Sequence, residues 1–225
     1  MGSAMMAALK ANEFEVGGVE RGEKLIESDC YILAMKPQDF VEFDTGEKLV
    51  ISIMAGVSIK RIQGKCGTKK IVRAMPNLPL KVGKALTGWI ASDEVSEDEK
   101  QFAKKIFESF GEEIELDNED KVNAITALSG SGPAYFYLLT EFIKKAAVEM
   151  GFCQEDAEKI AKRTIVGSAE LLEKSGLSAE ELRKKITSKG GTTEAAIKYL
   201  EENGIEETVK GAITAAQKRA EELNN

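Results

Sequence analysis

Two segments in the second half of the chain combine small residues and hydroxyls with the start of a predicted helix. One is SGSGPAY at residues 129–135, and the other is TSKGGTT at residues 187–193, which precedes the helical sequence EAAIKYL. A Gly-Gly turn that leads into a helix offers backbone N–H groups and two hydroxyls to an anion such as a carboxylate. The same pattern is typical of a helix whose N-cap is Thr192 or Thr193, and spacing alone leaves both interpretations open.

Three apolar segments in the first half end in residues that could contact a ligand. They are LAMKPQ (33–38), IMAGVSI (53–59) and RAMPNLP (73–79), in which two prolines bracket Asn77. Ligands of open α/β sheets bind beyond the carboxyl ends of the strands, so these three ends indicate a binding edge. A proline that ends a strand, or a glycine in a tight turn, would explain each segment without a ligand.

The composition excludes several kinds of chemistry. The 225 residues include no histidine, so the chain cannot build a Ser-His-Asp or Cys-His site or an HExxH zinc site. Its three cysteines, Cys30, Cys66 and Cys153, form no CxxC pair, so we expect no metal site, and their wide spacing favours a reducing compartment. A net charge of −7 argues against nucleic acid or an acidic membrane as a partner.

We expect neither a secretory leader nor a membrane span. The start, MGSAMMAALKANE, has no basic residue ahead of its apolar residues. The uncharged run at 122–140 contains SGSGP, so we interpret it as two helical pieces that meet at a turn. The sequence therefore predicts a cytoplasmic protein.

The first half alternates strand and helix patterns. Short apolar runs predict strands at 30–35, 48–53, 70–75 and 85–91, and the alternating EIEL (113–116) predicts an edge strand. A capping box formed by Ser96 and Glu99 begins a helix whose apolar face we expect to end at Gly111. Apolar strands with intervening helices predict an α/β layer with a mainly parallel sheet.

The second half shows no strand pattern. Helices are predicted near 119–129, 134–150, 154–174, 178–187, 193–202 and 205–223. The helix at 154–174 has a wide apolar stripe with many small residues, which suits close helix packing within a chain or between chains. We place a domain boundary near residue 118.

Taken together and in order, these segments resemble the pyrroline-5-carboxylate reductase family. The resemblance is carried by ILAMKPQ, LVISIMAGVSI, VRAMPNLP, AITALSGSGPAY and LRKKITSKGGTTEAAI. It implies a Rossmann-like dinucleotide-binding domain at 1–118 and an all-α domain at 119–225 that interlocks two subunits, so a homo-oligomer of at least two chains is expected. It also implies hydride transfer from NADPH, or NADH, to the C=N carbon of a cyclic imine, which gives L-proline.

The resemblance also assigns site residues. The family's substrate contacts correspond here to Ser188, Gly190, Gly191, Thr192 and Thr193. Among them Thr193 and Ser188 are the implied catalytic residues, and the hydroxyl of Thr193 matches the one that bonds the ring nitrogen. The implied cofactor contacts are Met1, Gly2, Ser3, Ala34, Met35, Lys36, Pro37, Ala55, Gly56 and Asn77.

Some family features differ in this sequence. The opening MGSAM matches only the tail of the family's GxGNMG fingerprint, and a strand and a helix are missing between Glu13 and Glu20. We expect a longer chain to carry these pieces, the alternatives being a truncated form with a cloning remnant or a naturally shortened protein. Leu78 replaces the family's threonine and Lys189 its proline, which adds a positive charge near the expected carboxylate.

Two other functions are consistent with the same residues. One is the reduction of a different imine or of a short keto acid on the same fold, in which Ser188, Thr192 and Thr193 serve another ligand. The other is a helical dimer without a cofactor, which acts as a binding module.

Overall fold

The first part of the chain is built on a five-stranded sheet. The computed structural model describes residues 1–20 and 22–223. Its strands are β1 (Cys30–Leu33), β2 (Leu49–Ser52), β3 (Ile71–Met75), β4 (Ala85–Ala91) and β5 (Gly111–Glu115), paired in that order. β1, β2 and β3 run parallel, β4 is antiparallel to β3, and β5 is parallel to β4. The predicted mainly parallel sheet is confirmed, and the single antiparallel pair is β3 with β4.

The strand sequences match their burial. Every residue of β2 and of β3 is buried, as expected of continuous apolar runs whose two faces are both covered. The two strands also contain one polar residue, Ser52, and one charged residue, Arg73, and both are buried. β5 lies at the edge of the sheet, as the alternation of EIEL predicted, although it begins earlier, at Gly111.

Four helices accompany the sheet. They are α1 (Gly2–Ala11), α2 (Ile59–Cys66), α3 (Glu97–Glu108) and α4 (Asp120–Ile125). The predicted capping box is present, because the Ser96 side chain accepts from the Glu99 N–H and Glu99 accepts from the Ser96 N–H. The predicted end of α3 at Gly111 is wrong. Ser109 is already its C-cap, and Gly111 begins β5, where a Cβ would overlap the backbone of Ala85.

Two apolar clusters cover the two faces of the sheet. On one face α1 and α3 contribute Met5, Leu9 and Phe107, which pack with Trp89 of β4. The other cluster is formed by Leu33, Phe40, Val50, Met54, Val57, Ile62, Cys66 and Ile71. Each fully buried large apolar side chain contributes roughly 1.5–3 kcal/mol, so these clusters hold the strand ends in place.

The remainder of the chain is helical, as predicted. The helices are α5 (Gly132–Glu149), α6 (Gln154–Lys174), α7 (Ala179–Ile186), α8 (Thr192–Glu202) and α9 (Ile205–Glu222), while the predicted helix at 119–129 is α4 followed by a π-helical turn (Thr126–Gly130). No strand occurs among residues 116–223. None of the helices within the described ranges is both long and apolar enough to cross a membrane.

The chain forms two compact units. One comprises Met1–Pro133 with Ile213–Asn225 and holds the sheet, and the other comprises Ala134–Ala212. The domain boundary near residue 118 remains a prediction from the sequence.

Candidate active site

The ends of three parallel strands meet at one edge of the sheet. Leu33 pairs with Ser52, Ser52 pairs with Arg73, and the Ile53 N–H donates to the Leu33 carbonyl at 3.0 Å. The segments that follow β1, β2 and β3 therefore start side by side. These segments hold most of the predicted cofactor residues, namely Ala34, Met35, Lys36, Pro37, Ala55, Gly56 and Asn77. We call this the carboxyl edge.

The N-terminus of α1 reaches the same edge. A Cβ on Gly2, the first residue of α1, would lie only 2.9 Å from the Cβ of Ala34. No acidic residue lies in the first turn, and the N-cap residue Met1 makes no side-chain capping bond. The backbone N–H groups near Gly2 and Ser3 are thus not capped by a side chain of a described residue, and a helix N-terminus of this kind attracts anions.

Gly56 is required by the fold itself. Its φ of +67° lies in the left-handed region that glycine favours, and the residue is buried. A Cβ at this position would lie 2.4 Å from the Cβ of Leu223 and 2.8 Å from its carbonyl carbon. The sequence allowed either a ligand contact or a tight turn at this glycine, and the structure shows a tight turn. The close approach across it is made by Leu223, which no pattern in the sequence indicated.

Asn77 is held on both sides of its carboxamide. The Nδ2 group donates to the Ser129 hydroxyl at 3.0 Å and to the Ser129 carbonyl at 3.3 Å. The Oδ1 atom accepts from the Leu86 N–H at 3.2 Å. Ser129 belongs to the π-helical turn and Leu86 to β4, so Asn77 joins three segments. Sequence reasoning placed Asn77 at the edge but missed both partners.

An ion pair between the buried Arg73 and the half-buried Glu119 supports β3 near the carboxyl edge. Arg73 is 1% exposed, and its Nη1 lies 2.7 Å from the Glu119 Oε1 while its Nη2 donates to the Asn123 Oδ1 at 2.9 Å. The same Glu119 oxygen accepts from the N–H of Ile59, the first residue of α2, at 2.8 Å. The network thus connects β3 with α2 and α4.

The predicted substrate segment forms a turn in the helical unit. Gly190 has a φ of +73°, and the Gly191 N–H donates to the Ser188 carbonyl at 3.0 Å. The N-cap of α8 is Gly191, and no side chain caps it. The interpretation of Thr192 or Thr193 as the N-cap is therefore wrong, because both residues lie inside the helix. We call residues 188–193 the glycine turn.

The groups of the glycine turn differ in their availability. The Gly190 N–H donates to the Glu194 Oε2 at 2.8 Å, a contact that sequence reasoning missed although Glu194 stands three residues after the N-cap. Within the described residues, the hydroxyls of Ser188 and Thr193 have no hydrogen-bond partner, and Lys189 has no ion-pair partner. Both hydroxyls are therefore free to contact a ligand.

The cysteines do not provide a nucleophile in the sheet. Burial raises the pKa of the Cys30 thiol to about 12 and that of the Cys66 thiol to about 11. Both thiols therefore stay protonated near neutral pH and are unreactive. Among the residues that the structure describes, no three cysteine or carboxylate groups cluster in a way that could hold a metal ion.

The sheet, with helices on both faces and three strand ends at one edge, defines a Rossmann-like α/β fold. Residues 119–223 match the family described as pyrroline-5-carboxylate reductase dimerisation. The pyrroline-5-carboxylate reductase of Pseudomonas aeruginosa is 35% identical over 222 residues, which cover 95% of this chain and 81% of the relative. The chain belongs to the pyrroline-5-carboxylate reductase family, which confirms the resemblance seen in the sequence.

Two solved structures extend the comparison. A pyrroline-5-carboxylate reductase from Coxiella burnetii matches with a TM-score of 0.87 and 32% identity, and the match covers 100% of this chain and 95% of that one. Pyrroline carboxylate reductase from Plasmodium falciparum, solved with NADP bound, matches with a TM-score of 0.83 and 28% identity over 100% and 94% of the two chains.

The contact at Gly56 gives a stability prediction. We expect Gly56→Ala to lower the free energy of unfolding by about 2–4 kcal/mol, because left-handed backbone strain adds to overlap with Leu223. Gly83→Ala is the matched control, since Gly83 has a φ of +68° but nothing within 4 Å of its Cβ position. It should lose only about 1–2 kcal/mol in urea denaturation. Equal losses would contradict a role for the Leu223 contact.

Proposed function

We propose that this protein reduces 1-pyrroline-5-carboxylate to L-proline, with NADPH as the hydride donor and NADH as an alternative. The observation that carries the proposal is 35% identity, over 81% of its length, to a relative named pyrroline-5-carboxylate reductase. The bound NADP of the Plasmodium falciparum relative supports the choice of cofactor. The three cysteines are all free, which supports a cytoplasmic location.

The carboxyl edge fits a dinucleotide. The missing Cβ of Gly2 lets the N-terminus of α1 approach Ala34, and its uncapped N–H groups suit a pyrophosphate. When bound, the reduced nicotinamide supplies the hydride. The residues that we propose to hold the cofactor are Met1, Gly2, Ser3, Ala34, Met35, Lys36, Pro37, Ala55 and Gly56.

The glycine turn suits the substrate. Its backbone N–H groups at Thr192 and Thr193 lie in the first turn of α8 and suit the substrate carboxylate, and the charge of Lys189 adds attraction. The hydroxyl of Thr193 would donate to the ring nitrogen as that atom becomes an amine, so no histidine is needed. Ser188 supplies a second hydroxyl in the same turn. The chain therefore acts mainly by orientation and hydrogen bonding.

The reaction is tested by cofactor oxidation. Purified full-length protein should oxidise NADPH or NADH only when the cyclic imine is added, followed by absorbance of the reduced nicotinamide. A panel of larger or uncharged cyclic imines and short keto acids identifies the substrate. Preference for one of these would favour another reductase of the same fold. Lack of turnover together with lack of NADPH binding would favour the helical binding module.

We also propose that two chains form a homodimer through the helical unit. Large apolar side chains of α5 are about half exposed or more, with Phe136 at 60% and Phe142 at 51%. Within Ala134–Ala212, the buried apolar residues are only alanines, Ala147, Ala157 and Ala161. Apolar surface on this scale marks an interaction surface. The matched dimerisation family at residues 119–223 supports a second copy as its partner.

A charge placed on this surface should disrupt the dimer. We expect light scattering to give twice the mass of the chain for the unaltered protein and a smaller mass for Phe142→Glu, because a buried unpaired carboxylate is costly. Val82→Glu is the control, since Val82 is 74% exposed in the sheet-containing unit and its substitution should leave the dimer intact. A monomeric unaltered protein would contradict the proposal.

Thr193 tests the chemical role of the glycine turn. Because Thr193 is not an N-cap, Thr193→Ala should change the free energy of unfolding by less than about 1 kcal/mol. The loss of a donor at the reacting nitrogen should lower kcat/KM by about 10–1000-fold. Thr193→Ser keeps the hydroxyl and should retain most of the activity. A near-normal kcat/KM for the alanine variant, with a lowered Tm, would assign Thr193 a structural role only.

A further inference from the structure

The carboxamide of Asn77 is already engaged by the protein. Its nitrogen lies within hydrogen-bond distance of both the hydroxyl and the carbonyl of Ser129. Its oxygen accepts from the Leu86 N–H, and the residue is only 9% exposed. A group in this state has little capacity left for a ligand, although the resemblance implies that Asn77 contacts the cofactor.

The contacts of Asn77 form a closed arrangement at the carboxyl edge. Asn77 follows β3, and Leu86 lies near the start of β4, which is antiparallel to β3 and therefore reaches the same edge. The Ser129 hydroxyl also contacts the Leu86 carbonyl at 3.4 Å. Asn77, Leu86 and Ser129 are thus joined pairwise, and we call this arrangement the amide clamp.

The amide clamp holds the π-helical turn against the sheet. The turn at Thr126–Gly130 is π-helical, and such turns are rare and occur frequently at functional sites. Next to Ser129, Gly130 has no side chain, and a Cβ there would be in ordinary contact with the Met75 side chain at 3.5 Å. The hydrogen bonds from Asn77, together with the contact between the Ser129 hydroxyl and the Leu86 carbonyl, attach this turn to the sheet.

We propose that Asn77 is a positioning residue, which acts through Ser129 on the turn at Thr126–Gly130 and does not itself contact the cofactor. This inference rests on the proposed reductase function, because the turn lies at the edge that we assign to the dinucleotide. Loss of the clamp should impair the orientation of groups around the reacting atoms more than it impairs cofactor binding.

A double-mutant cycle tests this inference. The variants are Asn77→Ala, Ser129→Ala and the combination of both, each measured for kcat/KM with the imine, for NADPH binding by fluorescence and for Tm. We expect Asn77→Ala to lower kcat/KM by about 10–100-fold while the Kd for NADPH changes by less than about 3-fold. The kcat/KM of the combined variant should lie within about 3-fold of that of Asn77→Ala, because the two residues act as one unit.

Asn12→Ala is the matched control. The Asn12 amide also donates twice, to the carbonyls of Ala8 and Ser109, both at 2.9 Å, but it lies at the end of α1. It should lower Tm and leave kcat/KM unchanged. Two results would overturn the inference. In the first, Asn77→Ala raises the Kd for NADPH by the same factor by which it lowers kcat/KM, and the effects of the two single substitutions add in the combined variant. In the second, Asn77→Ala lowers Tm and leaves kcat/KM unchanged, as Asn12→Ala does.

The cycle separates this inference from the proposed function. If the unaltered protein does not reduce the imine, the proposed function fails, and NADPH binding together with Tm still decides the role of Asn77. The clamp would be supported if the combined variant lost no more Tm than Asn77→Ala alone while the Kd for NADPH stayed unchanged. A weakened Kd for Asn77→Ala alone would overturn it.

Discussion

The ion pair between the buried Arg73 and the half-buried Glu119 is the interaction on which the placement of β3 depends. A guanidinium that is 1% exposed, in a strand with a neighbour on each side, would cost several kcal/mol without a partner. Glu119 provides the charge and also accepts the first N–H of α2, while Asn123 accepts from the second Arg73 nitrogen. The position of β3 in turn sets where β1 and β2 end, and with them the carboxyl edge.

Several residues of the carboxyl edge serve the fold and the proposed cofactor site together. Gly2 lets α1 approach Ala34, and Gly56 lets Leu223 approach the turn after β2. In both cases glycine is required by a neighbouring part of the same chain. The presence of glycine there is thus explained before any ligand is considered, which is why the comparisons with relatives, and not the glycines, carry the functional assignment.

The sequence predicted the elements whose signals are local. Strands β2 and β3 are continuous apolar runs, and the capping box of Ser96 and Glu99 spans only four residues. Helix α2 was missed, and the end of α3 was misplaced, because Gly111 is set by its approach to Ala85 and not by the helix. The partners of Asn77 lie up to 52 residues away, so no local pattern indicates them. The glycine turn was predicted from spacing, but the choice of Gly191 as N-cap was not.

The chemistry available to this chain explains why such distant contacts matter. Without histidine, and with the thiols of Cys30 and Cys66 held protonated, the carboxyl edge and the glycine turn offer mainly backbone N–H groups, hydroxyls and carboxamides, none of which changes its charge near neutral pH. Groups of this kind contribute through distance and angle, so their effect depends on how firmly the backbone holds them. Residues that we do not place at the reacting atoms, such as Ser129 and Arg73, are therefore expected to influence the proposed reaction by fixing the segments that carry the donors.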